Sequence, residues 1–437
     1  MRIAFTPVDE LGRVFERRAE PNTIHFEVQV PGSIDADRLR RAVREVLAAH
    51  PLLRARRHPA GPARRSYWEI AEHADLDPLA VCGGSIDAER ERLFAEPVDL
   101  RNSPLMRLRL IKTPERDAVL LGAHHALFDG VSCLRLMRSI VAAYSGEPDP
   151  VPPIDPLTVR TATAPHEQQA GKPSHTPVAP HRTARIAGDT HSPGPGYGFA
   201  LRVLDPEPTA ALSAARWHGA SVNDVLLAAL FETVAAWNRR HASAHDRMTI
   251  TMPLNARPAQ HRLEFLGNLS RIVSIGVTDA DRTDSRRLLD AITRQTDEAK
   301  RHANPRPAGL VGAVLGAGRL PYTLRRALLA AGRVAAGAVT DTTCLSNIGR
   351  IPGSFCFQGA GEIDRLWASP PAPMPRGLSV GATTYGGRLH LTVRHRHALL
   401  DTSAADEFAT LLVSKVHSLA AEIAAVTEAT GTTGAVA

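Results

Sequence analysis

His124-His125-Ala126-Leu127-Phe128-Asp129-Gly130 is the stretch from which the rest of this chain is read. Before it, Ala118 to Ala123 form an apolar run with the pattern of a buried strand. After it, Val131, Leu134, Met137, Ile140, Val141 and Tyr144 recur at helical spacing on one side. The order is therefore strand, tight turn with two histidines, Asp-Gly, helix. A histidine held at the mouth of a strand is aimed rigidly, and imidazole is the side chain best suited to moving protons near neutral pH. Asp129 can orient the turn, and Gly130 can take backbone angles that other residues avoid. A bare pair of histidines reads as loop or core. The strand-turn-helix setting makes this pair a candidate catalytic site.

Upstream, Ile24 to Val30 alternate as a half-buried strand. Asp35 is placed to cap a helix that turns Leu39, Ala42, Val43, Val46 and Leu47 inward, and His50-Pro51 end it. A second strand is expected to start at Leu52, and another spans Tyr67 to Ile70. Met106, Leu108 and Leu110 face one way and Arg107 and Arg109 the other, so two antiparallel strands reach His124.

Downstream the composition changes. Eleven of the 33 prolines fall between Pro148 and Pro195, which reads as a linker over 151–196. His166, His175, His181 and His191 lie in it without the regular spacing of metal ligands. The linker divides the chain into a first half, 1–150, and a second half, 197–425, followed by a tail, 426–437, expected to be disordered. The second half opens with a strand at Phe199 to Leu204, then a long helix begins at Ser221-Val-Asn223-Asp224 and buries Leu226, Leu230, Val234 and Trp237. Met248 to Leu254 form a strand that leads into Asn255-Ala-Arg257-Pro258. Ser285 to His302 are an amphipathic helix with Leu288, Leu289, Ile292 and Thr296 inward, and Leu310 to Val339 are helical in pieces. Leu378 to Tyr385 and Leu389 to Val393 form a hairpin around Gly386-Gly387, and Asp401 caps the last helix.

The bulk numbers limit the function. The chain has 437 residues, 43% hydrophobic and 22% charged, with a formal net charge of +7 and a pI near 9.6. No stretch is read as a membrane span of ~20 apolar residues and no apolar leader opens the chain, so a cytoplasmic protein is expected. Cys82, Cys133, Cys344 and Cys356 are widely spaced and suggest neither a disulfide framework nor a metal site. Basic clusters such as Arg54-Ala-Arg-Arg57 are not interleaved with aromatics, which argues against nucleic acid. The charge suits a coenzyme A phosphate or an acidic carrier protein, or it reflects an arginine-rich composition alone.

The His124–Gly130 motif resembles the HHxxxDG signature of the superfamily that holds chloramphenicol acetyltransferase, nonribosomal peptide condensation domains, polyketide-associated acyltransferases and wax ester synthases. The resemblance runs the length of the ordered chain. Phe94 to Leu100 and Pro104 to Ile111 resemble the run that leads to the motif strand. The helix from Ser221 is similar to the Asn-Asp-Val helix of wax ester synthases, and Asn255 to Pro258, Gly267-Asn268 and Ser346-Asn347-Ile-Gly349-Arg350 resemble later segments. The Asp-Phe-Gly-Trp motif of condensation domains is absent.

The resemblance implies an α/β fold of two chloramphenicol-acetyltransferase-like subdomains in a V with a central tunnel. It implies that His125 is the general base, that His124 packs, that Gly130 gives room, and that Asp129 meets Arg257 instead of substrate. Ser346 and Asn347 are candidates to line the tunnel. No resident cofactor or metal is expected. The co-substrate is an acyl-CoA or phosphopantetheine thioester, and the partners are a small-molecule acceptor and an acyl or peptidyl carrier protein. The expected function is a free-standing, ester- or amide-forming acyltransferase of specialised metabolism. A wax ester or diacylglycerol acyltransferase and a non-catalytic binding module are the alternatives.

Overall fold

The structure, a computed structural model, describes residues 1–14, 16–58, 66–149, 154–155, 158, 183–214, 219–243, 245–258, 261–301, 324, 328 and 340–431. The first half contains β1 (Arg2–Ala4), α1 (Pro7–Val14), β2 (Thr23–Val30), α2 (Ala36–Ala49), β3 (Ala55–His58), β4 (Tyr67–Ile70), β5 (Leu79–Gly83), α3 (Ile86–Ala95), β6 (Met106–Lys112), β7 (Asp117–His124) and α4 (Gly130–Ser145). The second contains β8 (Tyr197–Leu204), α5 (Pro206–Ala214), α6 (Val222–Arg240), β9 (Arg247–Asn255), β10 (Ser270–Thr278), α7 (Ser285–Arg301) and β11 (Thr343–Arg350). It ends with β12 (Cys356–Phe357), β13 (Gly361–Glu362), β14 (Arg365–Ser369), β15 (Leu378–Tyr385), β16 (Arg388–Arg396) and α8 (Thr402–Gly431).

Local chemistry sets the helix boundaries. The Asp35 carboxylate accepts the Arg38 amide at the start of α2, and the Asp401 carboxylate accepts the Ala404 amide at the start of α8. Ser221 and Asp224 form a reciprocal capping box on α6. One boundary differs from expectation: Pro51 to Arg54 form a 3-10 turn, and the strand begins only at Ala55. Proline's fixed φ and missing N–H suit the first position of such a turn better than a strand ladder.

Two sheets carry the molecule. The first runs β14-β2-β7-β6-β5 and the second β10-β9-β11-β15-β16-β8. Phe26, Val28, Leu39, Val46, Leu108, Leu121 and Ile140 meet in the first core, and Leu227, Ile250, Ile292, Val380, Leu391 and Phe408 in the second. β14 belongs by sequence to the second half yet pairs antiparallel with β2, Leu366 opposite Val28 and Ala368 opposite Phe26. Next to it the sheets nearly touch. A Cβ on Gly381 of β15 would lie 1.7 Å from the Ala368 carbonyl oxygen, so only glycine fits there.

Most of the proline-rich stretch lies outside the described residues, as do Leu310 to Val339 apart from 324 and 328, and the tail beyond Gly431. Of the expected tail, residues 426–431 are the last turns of α8. The end of the linker is ordered: Ala184 and Ile186 are buried in the second core, and Asp189 bridges to Leu400. Contrary to the sequence reading, Thr402–Ala425 is long and apolar enough to cross a membrane, with mean hydropathy 1.3. Its apolar side, Phe408, Leu412, Val416, Leu419 and Ile423, faces the second core.

Candidate active site

β7 delivers the two histidines to the end of the first sheet, and their surroundings fix two different protonation patterns. His124 is fully buried. Its Nδ1 accepts the Ala126 amide at 3.0 Å, so the proton sits on Nε2, which donates to Glu16 Oε2 at 3.1 Å. His124 is thus a strut inside the turn. The His125 ring is reversed in its chemistry. Its Nδ1 lies 2.8 Å from the Phe128 carbonyl, which can only accept, so Nδ1 carries the hydrogen and Nε2 keeps its lone pair. Burial holds His125 below the usual imidazole value, and the Phe128 carbonyl and Asp129 only partly offset it. The ring is therefore neutral, with a basic Nε2, at neutral pH.

The turn is clasped from the second half. Asp129 caps α4 by accepting the Ser132 amide at 2.8 Å. Its carboxylate also takes two bonds from Arg257, Nη1 to Oδ2 and Nη2 to Oδ1, each 2.8 Å, and the Leu269 amide at 2.9 Å. Burial alone would raise the Asp129 pKa, but Arg257 and these amides outweigh it and hold the carboxyl below its ordinary range. Arg257 spends its other donors on Phe265 O, Asn255 Oδ1, Gly267 O and Ser132 Oγ. Every N–H of this buried guanidinium has a partner, which a buried charge requires.

Three further residues complete the arrangement, and none was assigned a role from the sequence. Asn268 donates to the His125 carbonyl at 2.6 Å. Ser132 donates to the Gly267 carbonyl and accepts the Gly267 amide. Glu16 joins His124 to the Asn22 amide, and the Asn22 carbonyl accepts the His125 amide at 2.8 Å. α1 lies against the turn so closely that a Cβ on Gly12 would sit 2.8 Å from Ala126 Cα. Asn268 stands in a Gly-Asn segment legible as a motif, whereas Glu16 lies 108 residues from its partner and carried no signal.

Ser346 and Asn347 are half-buried on β11, where the pairing with β15 shifts register between Asn347 and Gly349. The neighbour that reaches the motif is Ile348: a Cβ on Gly130 would lie 3.3 Å from its Cδ1. Cys133, three residues past the motif, is buried, and burial pushes its thiol well above the usual range, the opposite of an activated nucleophile. Among the described residues no three metal-ligating side chains gather.

The condensation domain family model matches residues 15–175, which include the motif. The uncharacterized protein Rv2305 of Mycobacterium tuberculosis is 32% identical over 402 residues, covering 89% of this chain and 93% of the relative. Among solved structures, the first condensation domain of the CDA synthetase superposes with TM-score 0.70 at 16% identity, covering 96% of each chain. The starter condensation domain of rhizomide synthetase RzmA, a mutant in complex with C8-CoA, superposes with TM-score 0.67 at 15% identity, covering 96% of this chain and 95% of that one. The fold is therefore the α/β pair of chloramphenicol-acetyltransferase-like halves. By motif, sequence and fold together, the chain belongs to the condensation-domain family within the HHxxxDG acyltransferase superfamily.

Proposed function

We propose that this protein is a free-standing acyltransferase. It moves an acyl group from a coenzyme A or carrier-protein thioester to a hydroxyl or amine of a small-molecule acceptor, with His125 as general base. The carrying observation is the tautomer: Nδ1–H is tied to the Phe128 carbonyl, which leaves Nε2 to accept a proton. The acceptor's proton passes to Nε2 as its oxygen or nitrogen bonds to the thioester carbonyl carbon. When the tetrahedral adduct collapses, the C–S bond breaks and His125 returns the proton to the leaving thiolate. General base catalysis of this kind is worth about 10²–10⁴-fold, so positioning between the two halves supplies much of the remainder. The step needs no nucleophilic serine or cysteine.

The test is thiol release from acyl-CoA and from loaded carrier proteins, assayed with hydroxyl and amine acceptors. His125→Ala is expected to abolish release while leaving the melting temperature nearly unchanged. Near-wild-type turnover by that variant would remove the general-base role. Transfer from a carrier is expected to weaken with salt more than transfer from acyl-CoA, because surface charge pairing is screened over ~10 Å at 0.1 M.

A further inference from the structure

Arg394 and its strand neighbour Arg396 differ from the other deeply buried arginines in having no carboxylate partner among the described residues, and Arg394 is the more deeply buried of the two. Arg257 faces Asp129, Arg90 faces Glu27, and Arg135 faces Asp149. Arg394 is 0% exposed and has no carboxylate within ion-pair reach among the described residues. Its Nη1 donates to the Thr23 carbonyl at 2.7 Å. Its Nε and Nη2, both buried, have no hydrogen-bond partner. These two nitrogens share one edge of the guanidinium plane, the edge that binds a carboxylate side-on through two parallel bonds.

The surroundings hold the cation in place without supplying a counter-charge. The Tyr197 ring centroid lies 4.1 Å from the guanidinium carbon, and the Phe94 and Phe199 rings lie at 5.1 and 5.5 Å. Thr23 Oγ1, next to the bonded carbonyl, and Thr392 Oγ1, two residues back on the same face of β16, are also buried without partners. Arg396, on that face too, adds a second positive charge and donates to the Ala19 carbonyl. The location is beside the motif: Thr23 pairs with His124 across the β2–β7 ladder, and the Asn22 carbonyl holds the His125 amide.

We infer that the unpaired edge of Arg394 is the receptor for a carboxylate on one of the enzyme's small-molecule substrates, with the Thr23 and Thr392 hydroxyls as added donors. This rests on the acyltransferase reading above. The carboxylate belongs either to the acceptor, as in a hydroxy acid, or to the acyl group, as in a dicarboxylic monothioester. Such a substrate brings the counter-charge that the protein withholds, and it fixes the reacting atoms relative to His125. A neutral analogue leaves a buried cation uncompensated, and selectivity follows from that penalty.

Thermal denaturation of the full chain tests this without turnover. The probes are 3-hydroxybutanoate against its methyl ester, and succinyl-CoA against butanoyl-CoA, with wild type, Arg394→Met and Arg394→Lys. In wild type, one acid is expected to raise the melting temperature saturably and at about tenfold lower concentration than its neutral partner. The pair that responds assigns the carboxylate to acceptor or donor. Arg394→Met should lose the difference and Arg394→Lys keep part of it. Without ligand, Arg394→Met should melt at or above the wild-type temperature, since an apolar chain removes an uncompensated charge. Equal responses to acid and neutral partner, no saturable response to either acid, or a large loss of stability in both variants overturns the proposal and makes Arg394 a structural strut. Acid selectivity that persists alongside absent acyl transfer would instead refute only the catalytic reading.

Discussion

Asp129 and Arg257, 128 residues apart in the chain, meet through two parallel 2.8 Å bonds with both side chains removed from water. The pair joins the motif turn of the first half to the strand end of the second. Removing one partner of a buried pair typically costs ~3–5 kcal/mol, because the other charge is left uncompensated. Asp129→Ala and Arg257→Ala are each expected to lose that much in urea unfolding, and the double variant to lose far less than the sum. Additive losses would show that the two residues act independently.

Glu16 tests whether the His124 strut positions His125. Glu16→Gln keeps the size but weakens the acceptor for His124 Nε2–H. Turnover should fall, on the order of tenfold, with KM little changed, since small misplacements of a base are costly. Stability should fall by only about 1 kcal/mol, the net worth of an ordinary hydrogen bond. A large loss of stability with unchanged turnover would make the strut structural only.

The pH dependence of rate follows from the direction of the His125 shift. The base form is already the majority at neutral pH because burial depresses protonation. The acidic limb of kcat/KM should therefore have its midpoint below 6.5, with a plateau through pH 7–8. Arg394→Met removes a positive charge that disfavours His125 protonation, so it should move that limb to higher pH. A midpoint above 7 in the wild type would contradict the half-buried, neutral imidazole.

Stability has its own acid window. His25, His390 and His395 are pulled down to about 4 by burial. In the unfolded chain such groups bind protons near 6.5, so between about 6.5 and 4 the unfolded state holds protons that the folded state lacks. Stability is fully present above that window and drains as pH falls through it, by up to about 1.4 kcal/mol per unit for each histidine. Asp129, depressed in the fold, adds its loss only below the ordinary carboxylate range. Urea midpoints that stay flat from pH 7 to 4.5 would refute the burial of these rings in solution.

The sequence made the motif, its flanking strand and helix, and most amphipathic elements legible because each is a local pattern. The histidine spacing, the capping aspartates at Asp35 and Asp401 and the Gly386-Gly387 hairpin need no knowledge of distant residues. The Asp129–Arg257 meeting was expected only through family resemblance. Glu16, Ser132 and Asn268 matter through bonds spanning 108, 135 and 143 residues; Ser132 follows the motif and Asn268 stands in a Gly-Asn segment, but no local pattern shows which distant group either one meets, and nothing near Glu16 marks it. Arg394 was hidden for a related reason: the hairpin pattern shows which residues alternate, but not that one inward arginine meets only a carbonyl and aromatic rings.

The β14–β2 ladder sets how the halves can move. Five backbone positions, Arg365 to Ser369, are laced to Gln29 through His25 across what would otherwise be a hinge line. A clamshell opening would have to unzip those rungs, so the two lobes stay stitched along this ladder. The same stitching makes the lobes mutually dependent. A fragment that stops at residue 150 would bare the outer edge of β2, and such a naked edge invites pairing with its copies. The chain should therefore tolerate a nick in its proline-rich stretch if both pieces stay together, and precipitate if the first piece is made alone.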